Sequence, residues 1–339
     1  MVKKIPPIAI TTGDHKGIGP EVISKGLYRL REKLKPEDVV IFGDPQLYEP
    51  FQRFLPKNCV AWSEADFLNP KWPGPLKKAL NFIEVDASLI SKENRDAYCC
   101  GRYIELAAKG ALAGKFSAIT TGPIDKNELH KGGYLFDGHT EMLKNICGAK
   151  SVTMMMAGEK MRTTLVTTHV ALKDVAKKLT TPSIIRCIEH TANALFKDFG
   201  ISQPNIAVLG LNPHAGDAGL FGSEERTIIL PAIKISRKKH KKATIKGPFP
   251  PDGFFALWKA KHQRQYHAIV CMYHDQGLIP IKLIDFENTV NVTLGLPIVR
   301  TSVDHGVGYD IAGKNKADAK SFCAALKLAQ ELVTKRKVN

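Results

Sequence analysis

Short apolar, β-branched runs alternate with longer amphipathic stretches along this chain, and that alternation limits what it can fold into. PIAITTG, DVVIFGD, SAITTGP, MRTTLVTTH, NIAVLGLNPH, HAIVCMYHD and NVTLGLPIVRTS read as strands. The runs ending in histidine are apolar and β-branched, as expected of strands covered on both faces in a parallel sheet. PEVISKGLYRLREKL, AYCCGRYIELAAKGALAG, LKDVAKKLTTPSIIRCIEHTANALFKDFG, SEERTIILPAIKISRKK and ADAKSFCAALKLAQELVTKRK read as helices. Pro20 suits the first turn of the first helix, and Pro182 divides the third region in two. Strands alternating with helices predict an α/β fold with mostly parallel sheets. At 339 residues the chain is expected to form two lobes, with no internal repeat or low-complexity linker to mark their boundary.

Composition excludes more than it assigns. Hydrophobic residues are 44% and charged residues 24%, ordinary for a soluble globular protein. No apolar stretch is long enough to span a bilayer. The start, MVKKIPPIAITTGD, is briefly basic, but Pro6 and Pro7 interrupt it before a signal-peptide core can form. A cytoplasmic location is therefore expected. The 7 cysteines contain no C-x-x-C pair and are expected to be reduced, mostly interior thiols, not ligands of zinc. Much of the net charge of +16 is lysine, and the densest patch is ISRKKHKKATIK, around Lys238, Lys239, Lys241 and Lys242. This run reads as a solvated helix end and a lysine-rich loop; without interleaved aromatics it is not a nucleic-acid motif. A general positive field would still help collect a phosphorylated substrate.

The chemistry concentrates where strands run out. His169, His214 and His274 each follow a buried-strand pattern. In α/β proteins ligands bind beyond the carboxyl ends of such strands. Imidazoles placed there can converge on one divalent metal and leave positions open for substrate. A lone histidine after a strand is ordinarily a loop residue bonded to backbone; matching contexts strengthen the metal reading. His214 lies in LNPHAGDAG, a tight exposed turn, and His274 has Asp275 beside it as an orienting partner.

Further segments point to anion binding. TTGDHKGIGPEV is a glycine-containing loop entering a helix, where free N–H groups can hold an anion, but it matches neither G-x-G-x-x-G nor the Walker loop. In DGHTEML, Thr140 is positioned to cap a helix whose inner face carries Met142 and Leu143. His139 and Thr140 can alternatively bond a phosphate or carboxylate at that helix start. Lys282, Asn291 and Arg300, placed near strand ends, can form an anion clamp. Arg300, between PIV and TSV, would lie close to a buried strand and need a partner.

Together GIGPE, TGP followed by GHTE, TTH, LNPHAG, MYHDQG, VNVTLGLP and VRTSVDHG resemble the 4-hydroxythreonine-4-phosphate dehydrogenase family of pyridoxal phosphate biosynthesis. The resemblance covers nearly the whole chain. DHGVGYDIAGKNKADA also resembles a segment of isopropylmalate and isocitrate dehydrogenases. It implies their two-lobed fold, with mostly parallel sheets and an active site in the cleft between lobes; approximate lobes are 1–135 plus 300–339, and 136–299.

The resemblance makes His169, His214 and His274 the ligands of one divalent metal (Zn, Mg, Co or Mn). It assigns His139, Thr140, Lys282, Asn291 and Arg300 to substrate binding. By the weaker analogy to the wider family, His305, Gly306 and Asp310 would lie near the dinucleotide, NAD or NADP. It implies a homodimer with the active site at the subunit interface and metal ligands from both subunits. The implied reaction is NAD-dependent oxidation of 4-phosphohydroxy-L-threonine with decarboxylation to 3-amino-2-oxopropyl phosphate. Asp252 and Asp275 are the candidate proton acceptors. Two departures stand out: His15 and Lys16 precede GIGPE, where the family has a small or proline-containing sequence, and Asn315 replaces a glycine. Relatives act on other phosphorylated hydroxy acids, so that substrate class is the alternative. A three-histidine zinc hydrolase, then a polyanion-binding protein, rank behind it; neither nucleic acid nor membrane is an expected partner.

Overall fold

The structure, a computed structural model, describes residues 5–259 and 265–338; the basic start at residues 1–4 lies outside them. It divides into two compact units, Met1–Ser151 with Leu296–Val333, and Val152–Gly295 with Thr334–Asn339. The predicted α/β class, with mostly parallel sheet, is the one found.

The first unit holds β1 (Ile8–Thr11), β2 (Val39–Phe42), β3 (Cys59–Ser63), β4 (Leu80–Glu84), β5 (Ala118–Thr121) and β12 (Val299–Ser302). Their order is β3-β4-β2-β1-β5-β12, and every pairing is parallel. All these strands therefore end on one edge. Three helices matter here: α1 (Gly19–Leu30), α2 (Arg95–Leu112) and α3 (His139–Ile146). β1, β2, β5 and β12 are buried throughout, as expected of strands covered on both faces. Phe42, Phe67 and Phe116 pack edge-to-face or stacked beside β2.

The second unit holds β6 (Thr153–Ala157), β7 (Arg162–Leu165), β8 (Asn205–Leu209), β9 (Thr244–Phe249), β10 (Ala268–Cys271) and β11 (Val290–Leu294), in the order β11-β6-β7-β10-β8-β9. β7, β10, β8 and β9 are parallel, whereas β6 is antiparallel to both neighbours. Its helices include α4 (Thr181–Lys197), α5 (Leu230–Lys239), α6 (Pro251–Lys259) and α7 (His274–Asp285). The core contains Met156, Leu165, Leu209, Phe254, Trp258, Ile269 and Ile281. α8 (Lys320–Val338) closes the chain.

Several elements depart from the sequence pattern. NVTLGLPIVRTS, expected as one strand, is two, β11 and β12. Gly295 turns the chain between them at φ 90, a conformation open to glycine. SEERTIILPAIKISRKK begins as a π-helical turn, Glu225–Ile229, before α5 starts with Pro231 in its first turn. Pro182 does separate two helices: α4 begins at Thr181, with Thr180 and Ser183 forming a reciprocal cap. Among the described residues no helix is long and apolar enough to cross a membrane.

Candidate active site

The ends of β1, β5 and β12 are knitted together by backbone. Gly122 N donates to Thr11 O at 2.9 Å, Asp14 N to Pro123 O at 2.9 Å, and Ile18 N to Val307 O at 2.9 Å. This close weave explains the glycines of TTGDHKGIGPE. A Cβ on Gly19 would lie 2.0 Å from Thr12 O, and one on Gly17 would lie 2.8 Å from Val307 O. The glutamate of that motif is a buried tie. Glu21 Oε1 accepts from Ala317 N at 2.8 Å and from Lys25 Nζ at 2.6 Å. Asp14 accepts from the Tyr309 hydroxyl at 2.6 Å, so the segment after β12 is anchored on the loop after β1.

His15 is largely enclosed, 3.5 Å from Asp96 and stacked obliquely near Tyr103, while Lys16 pairs with Glu128 at 3.2 Å. On the other side, His305 Nδ1 contacts Gly306 O at 2.9 Å, and its Nε2 is buried with no hydrogen-bond partner. Gly306 is exposed, with nothing within 4 Å of where a Cβ would stand. Asp310 is exposed, and its carbonyl accepts from Lys314 Nζ.

Arg300 is the second residue of β12, inside the strand and not at its end, and is 2% exposed. Its Nη2 donates to Thr121 Oγ1 at 2.8 Å. Burial lowers its pKa to about 10, partly offset by Glu141, so it stays cationic at neutral pH. His139 opens α3, behind Gly138, and its Nε2 is buried without a partner. Burial first, then the Arg300 charge, hold its pKa well below the usual histidine value, so the ring is neutral. The expected cap by Thr140 is not formed: Gly138 takes the capping position, and Thr140 is the second helical residue. Met142 and Leu143 are buried, as expected of the inner face. His139, Glu141, Arg300 and Thr121 thus form one electrostatic neighbourhood.

In the second unit, the loop after β7 carries His169 and the start of α7, just after β10, carries His274, and the two are tied together. Thr167 N and Oγ1 both donate to Met272 O, at 3.2 and 2.8 Å. The two imidazole centroids lie 6.0 Å apart. His274 Nδ1 meets Asp275 Oδ1 at 2.7 Å, which leaves Nε2 as its free donor atom for a metal. His214 stands 6.3 Å from the Phe221 ring, in a left-handed turn. Its φ is 51, followed by 53, 85, 41 and 55 at Ala215, Gly216, Asp217 and Ala218. Such backbone costs on the order of 1–2 kcal/mol for each non-glycine residue. Glu225 holds the preceding loop: its Oε1 accepts from Leu211 N and Asn212 N, both at 2.8 Å. Among the described residues no three His, Cys, Asp or Glu side chains come close enough to hold a metal. The chain by itself brings the His169 and His274 rings within 6.0 Å of each other without completing a three-ligand site among the described residues.

Lys282 lies on α7, with Nζ 5.8 Å from the Phe286 ring. Asn291 is in β11, opposite Met156, and its Oδ1 is buried with no hydrogen-bond partner. Asp252 is an exposed first-turn residue of α6. Helix and strand interiors, not strand ends, therefore carry Lys282, Asn291 and Arg300.

Residues 35–329 match the family model described as pyridoxal phosphate biosynthetic protein PdxA. The chain belongs to that family. A relative from Desulfosudis oleivorans, named 4-hydroxythreonine-4-phosphate dehydrogenase, is 41% identical over 345 residues, covering 96% of this chain and 95% of its own. A crystal structure of 4-hydroxythreonine-4-phosphate dehydrogenase from Klebsiella pneumoniae superposes with a TM-score of 0.81 at 35% identity, covering 97% of this chain and 99% of that one. A relative from Bradyrhizobium diazoefficiens, 38% identical over 346 residues and covering 96% of each chain, is provisionally named D-threonate 4-phosphate dehydrogenase. These PdxA relatives are named as dehydrogenases, and this chain is an enzyme of their family.

Sequence reading missed two supports of the segments that carry these histidines. Gln276 accepts from Met272 N at 2.6 Å and donates to Gly210 O at 2.8 Å, bridging the ends of β10 and β8. It sits inside MYHDQG, so the motif carried a signal. Glu225 carried none, being one acid among several in a helical stretch.

Proposed function

We propose that the protein oxidises 4-phosphohydroxy-L-threonine with NAD, or NADP, and decarboxylates the product to 3-amino-2-oxopropyl phosphate, in cytoplasmic pyridoxine and pyridoxal phosphate biosynthesis. The observation that carries this reading is the full-length similarity to dehydrogenases named for that substrate. The residues of both units suit it chemically.

In this reading His169, His214 and His274 hold one divalent ion. The donor set fits: neutral imidazoles accept zinc, cobalt or manganese, and Asp275 fixes the His274 tautomer so that Nε2 faces outward. Magnesium, which prefers oxygen ligands, fits that donor set least well. When bound, such an ion supplies Lewis-acid stabilisation of negative charge on substrate oxygen. When bound, the dinucleotide supplies the hydride acceptor, against the segment of His305, Gly306 and Asp310.

Arg300, His139 and Thr140 bind the substrate's anionic groups. Arg300 is preorganised for this by its bond to Thr121, and neutral His139 offers a buried Nε2 that no protein group uses. Lys282 adds a second cation and Asn291 an unused amide oxygen. Asp275 or Asp252 takes up the hydroxyl proton; Asp275 is favoured because it already contacts a metal-ligand histidine.

A homodimer completes the metal site in this reading. Supporting it is an apolar stripe on and after α7, the helix that His274 opens, with Ile279 63%, Leu283 86% and Phe286 62% exposed. A substrate that is another phosphorylated hydroxy acid is the second reading, favoured by the D-threonate 4-phosphate name of the Bradyrhizobium relative.

The test is absorbance of reduced dinucleotide on mixing metal-loaded protein, NAD and 4-phosphohydroxy-L-threonine, with a chelator-treated control. A metal-dependent rise supports the first reading. A rise only with D-threonate 4-phosphate moves the pathway and keeps the chemistry. Silence with both, in folded and metal-loaded protein, overturns the proposal.

A further inference from the structure

The lysine run of the second unit borders a cavity of about 320 Å³ that the dehydrogenase chemistry does not use. Phe196, Pro204, Lys239, His240, Lys241 and Lys242 line it. The geometry points to a second anion site, and we propose that this cavity binds a small, multiply charged phosphate anion of the di- or triphosphate class.

The loop that forms it is built, not loose. His240 N donates to Ser236 O at 2.9 Å at the end of α5, and Ala243 N donates back to His240 O at 2.9 Å. Lys241 and Lys242 therefore occupy the corner of a closed turn. Thr244 N donates to Pro204 O at 2.8 Å, fixing the turn against the residue that leads into β8. Lys242 Nζ rests 5.1 Å from the centre of the Phe196 ring, which orients that ammonium group. The Nε2 of His240 is buried and has no hydrogen-bond partner. Burial, reinforced by Lys239 and opposed by Glu189, keeps this ring's pKa low.

Among the described residues, Lys238, Lys239, Lys241 and Lys242 form no ion pair with a carboxylate. A helix dipole accounts for cations in the last turn of α5, which covers Lys238 and Lys239. It does not account for Lys241 and Lys242, which lie past the helix end and line the same cavity. Ammonium groups gathered without ion-pair partners repel one another, and an anion seated among them relieves that repulsion. The cavity is at the small end of the range for ligand sites, which suits a compact polyphosphate. A long, flat basic stripe with stacked aromatics would suit nucleic acid instead.

Isothermal titration with inorganic pyrophosphate at about 0.1 M salt tests this, using the full chain. Wild-type protein is expected to bind at a site that Lys241→Ala/Lys242→Ala weakens at least tenfold. Arg300→Met should leave that binding intact, which separates it from phosphate binding at the dehydrogenase site. Circular dichroism checks that the lysine variant is folded, and its dehydrogenase turnover without pyrophosphate should equal wild type. No binding to wild type, or equal binding by the lysine variant, would overturn the proposal. So would tighter, salt-sensitive binding of duplex DNA at the same lysines.

Discussion

The two units present their polar residues in opposite ways. In the first, Arg300 and the His139 Nε2 are buried, and the surrounding strand ends are locked by close backbone approach at glycines. In the second, His169 and His214 are exposed and His274, opening α7, is half-buried, on segments held from behind by Thr167, Gln276 and Glu225. Burial costs a charged group its hydration, so a buried arginine must be satisfied and oriented before substrate arrives. Exposed imidazoles carry no such cost and are free to take ligands from outside the chain. The buried cation of the first unit is preorganised, whereas the imidazoles of the second are not fixed by burial.

The largest effect that would break this contrast comes from the second unit. His274→Ala is expected to lower turnover by on the order of 1,000-fold, about 4 kcal/mol of barrier. Metal content by elemental analysis should fall with it, while the melting temperature stays near wild type because the ring is not core. Asp275→Asn should cost roughly 10–100-fold through the His274 orientation alone. Full metal retention by His274→Ala would sink the ligand assignment.

In the first unit the largest effect should be on folding. Gly19→Ala puts a Cβ 2.0 Å from Thr12 O, and the start of α1 must move to accept it. A loss of about 2–3 kcal/mol in denaturant unfolding is expected. An unchanged midpoint would mean that the weave of strand ends is not tight. Arg300→Met tests recognition in the same place. It removes a charged hydrogen-bonding group worth roughly 1.5–3 kcal/mol, so the substrate KM should rise about 10–100-fold. Stability should change little, since a buried charge replaced by an apolar chain of similar length also loses its desolvation cost. A normal KM with a collapsed melting temperature would make Arg300 a structural residue only.

His139 offers a subtler test. In the folded state burial, then Arg300, keep it neutral; the unfolded chain takes up its proton below about pH 6.5. The unfolded state then binds more protons, so stability falls as pH drops through that value until the folded-state pKa is reached. The slope from this group is at most about 1.4 kcal/mol per pH unit. His190, His240 and His267 are also shifted down and act in the same direction. The measurement is therefore the difference between wild type and His139→Gln from pH 7 to 5. Parallel curves would show that His139 is not held neutral.

What the sequence revealed follows from where the physics is local. The parallel strands were legible because strands buried on both faces must be continuously apolar, as in IAIT, NIAVL and AIVC. The histidine positions were legible because strand ends are fixed by those runs. The split at Gly295 was hidden, since TLGLPIV stays apolar across it and only the glycine's positive φ shows the turn. The edge strand β3 was missed, as was its inner neighbour β4; CVAWS is largely exposed, and a single wet strand carries a weak pattern. Convergence in space is nonlocal. Matching contexts put His169 within 6.0 Å of His274, yet among the described residues no three ligand side chains gather, though all three histidines follow strands of one parallel set.

The smallest expected effect concerns Asn315, where the resemblance implies a glycine. Its φ is 57, in the left-handed region. Glycine enters that region freely, and asparagine is the side chain that tolerates it best. The departure from the family therefore preserves the backbone. The Asn315 carbonyl accepts from Lys25 Nζ at 3.0 Å, and that same lysine pairs with buried Glu21 at 2.6 Å. The left-handed turn is thus part of what anchors the end of the segment after β12 to α1. Asn315→Gly should be nearly neutral in thermal unfolding, whereas Asn315→Ala should cost about 1 kcal/mol. If alanine were tolerated as well as glycine, the turn would not need its left-handed residue. The contrast would then narrow, because part of the first unit's strand-end lattice would be as adaptable as the loops of the second.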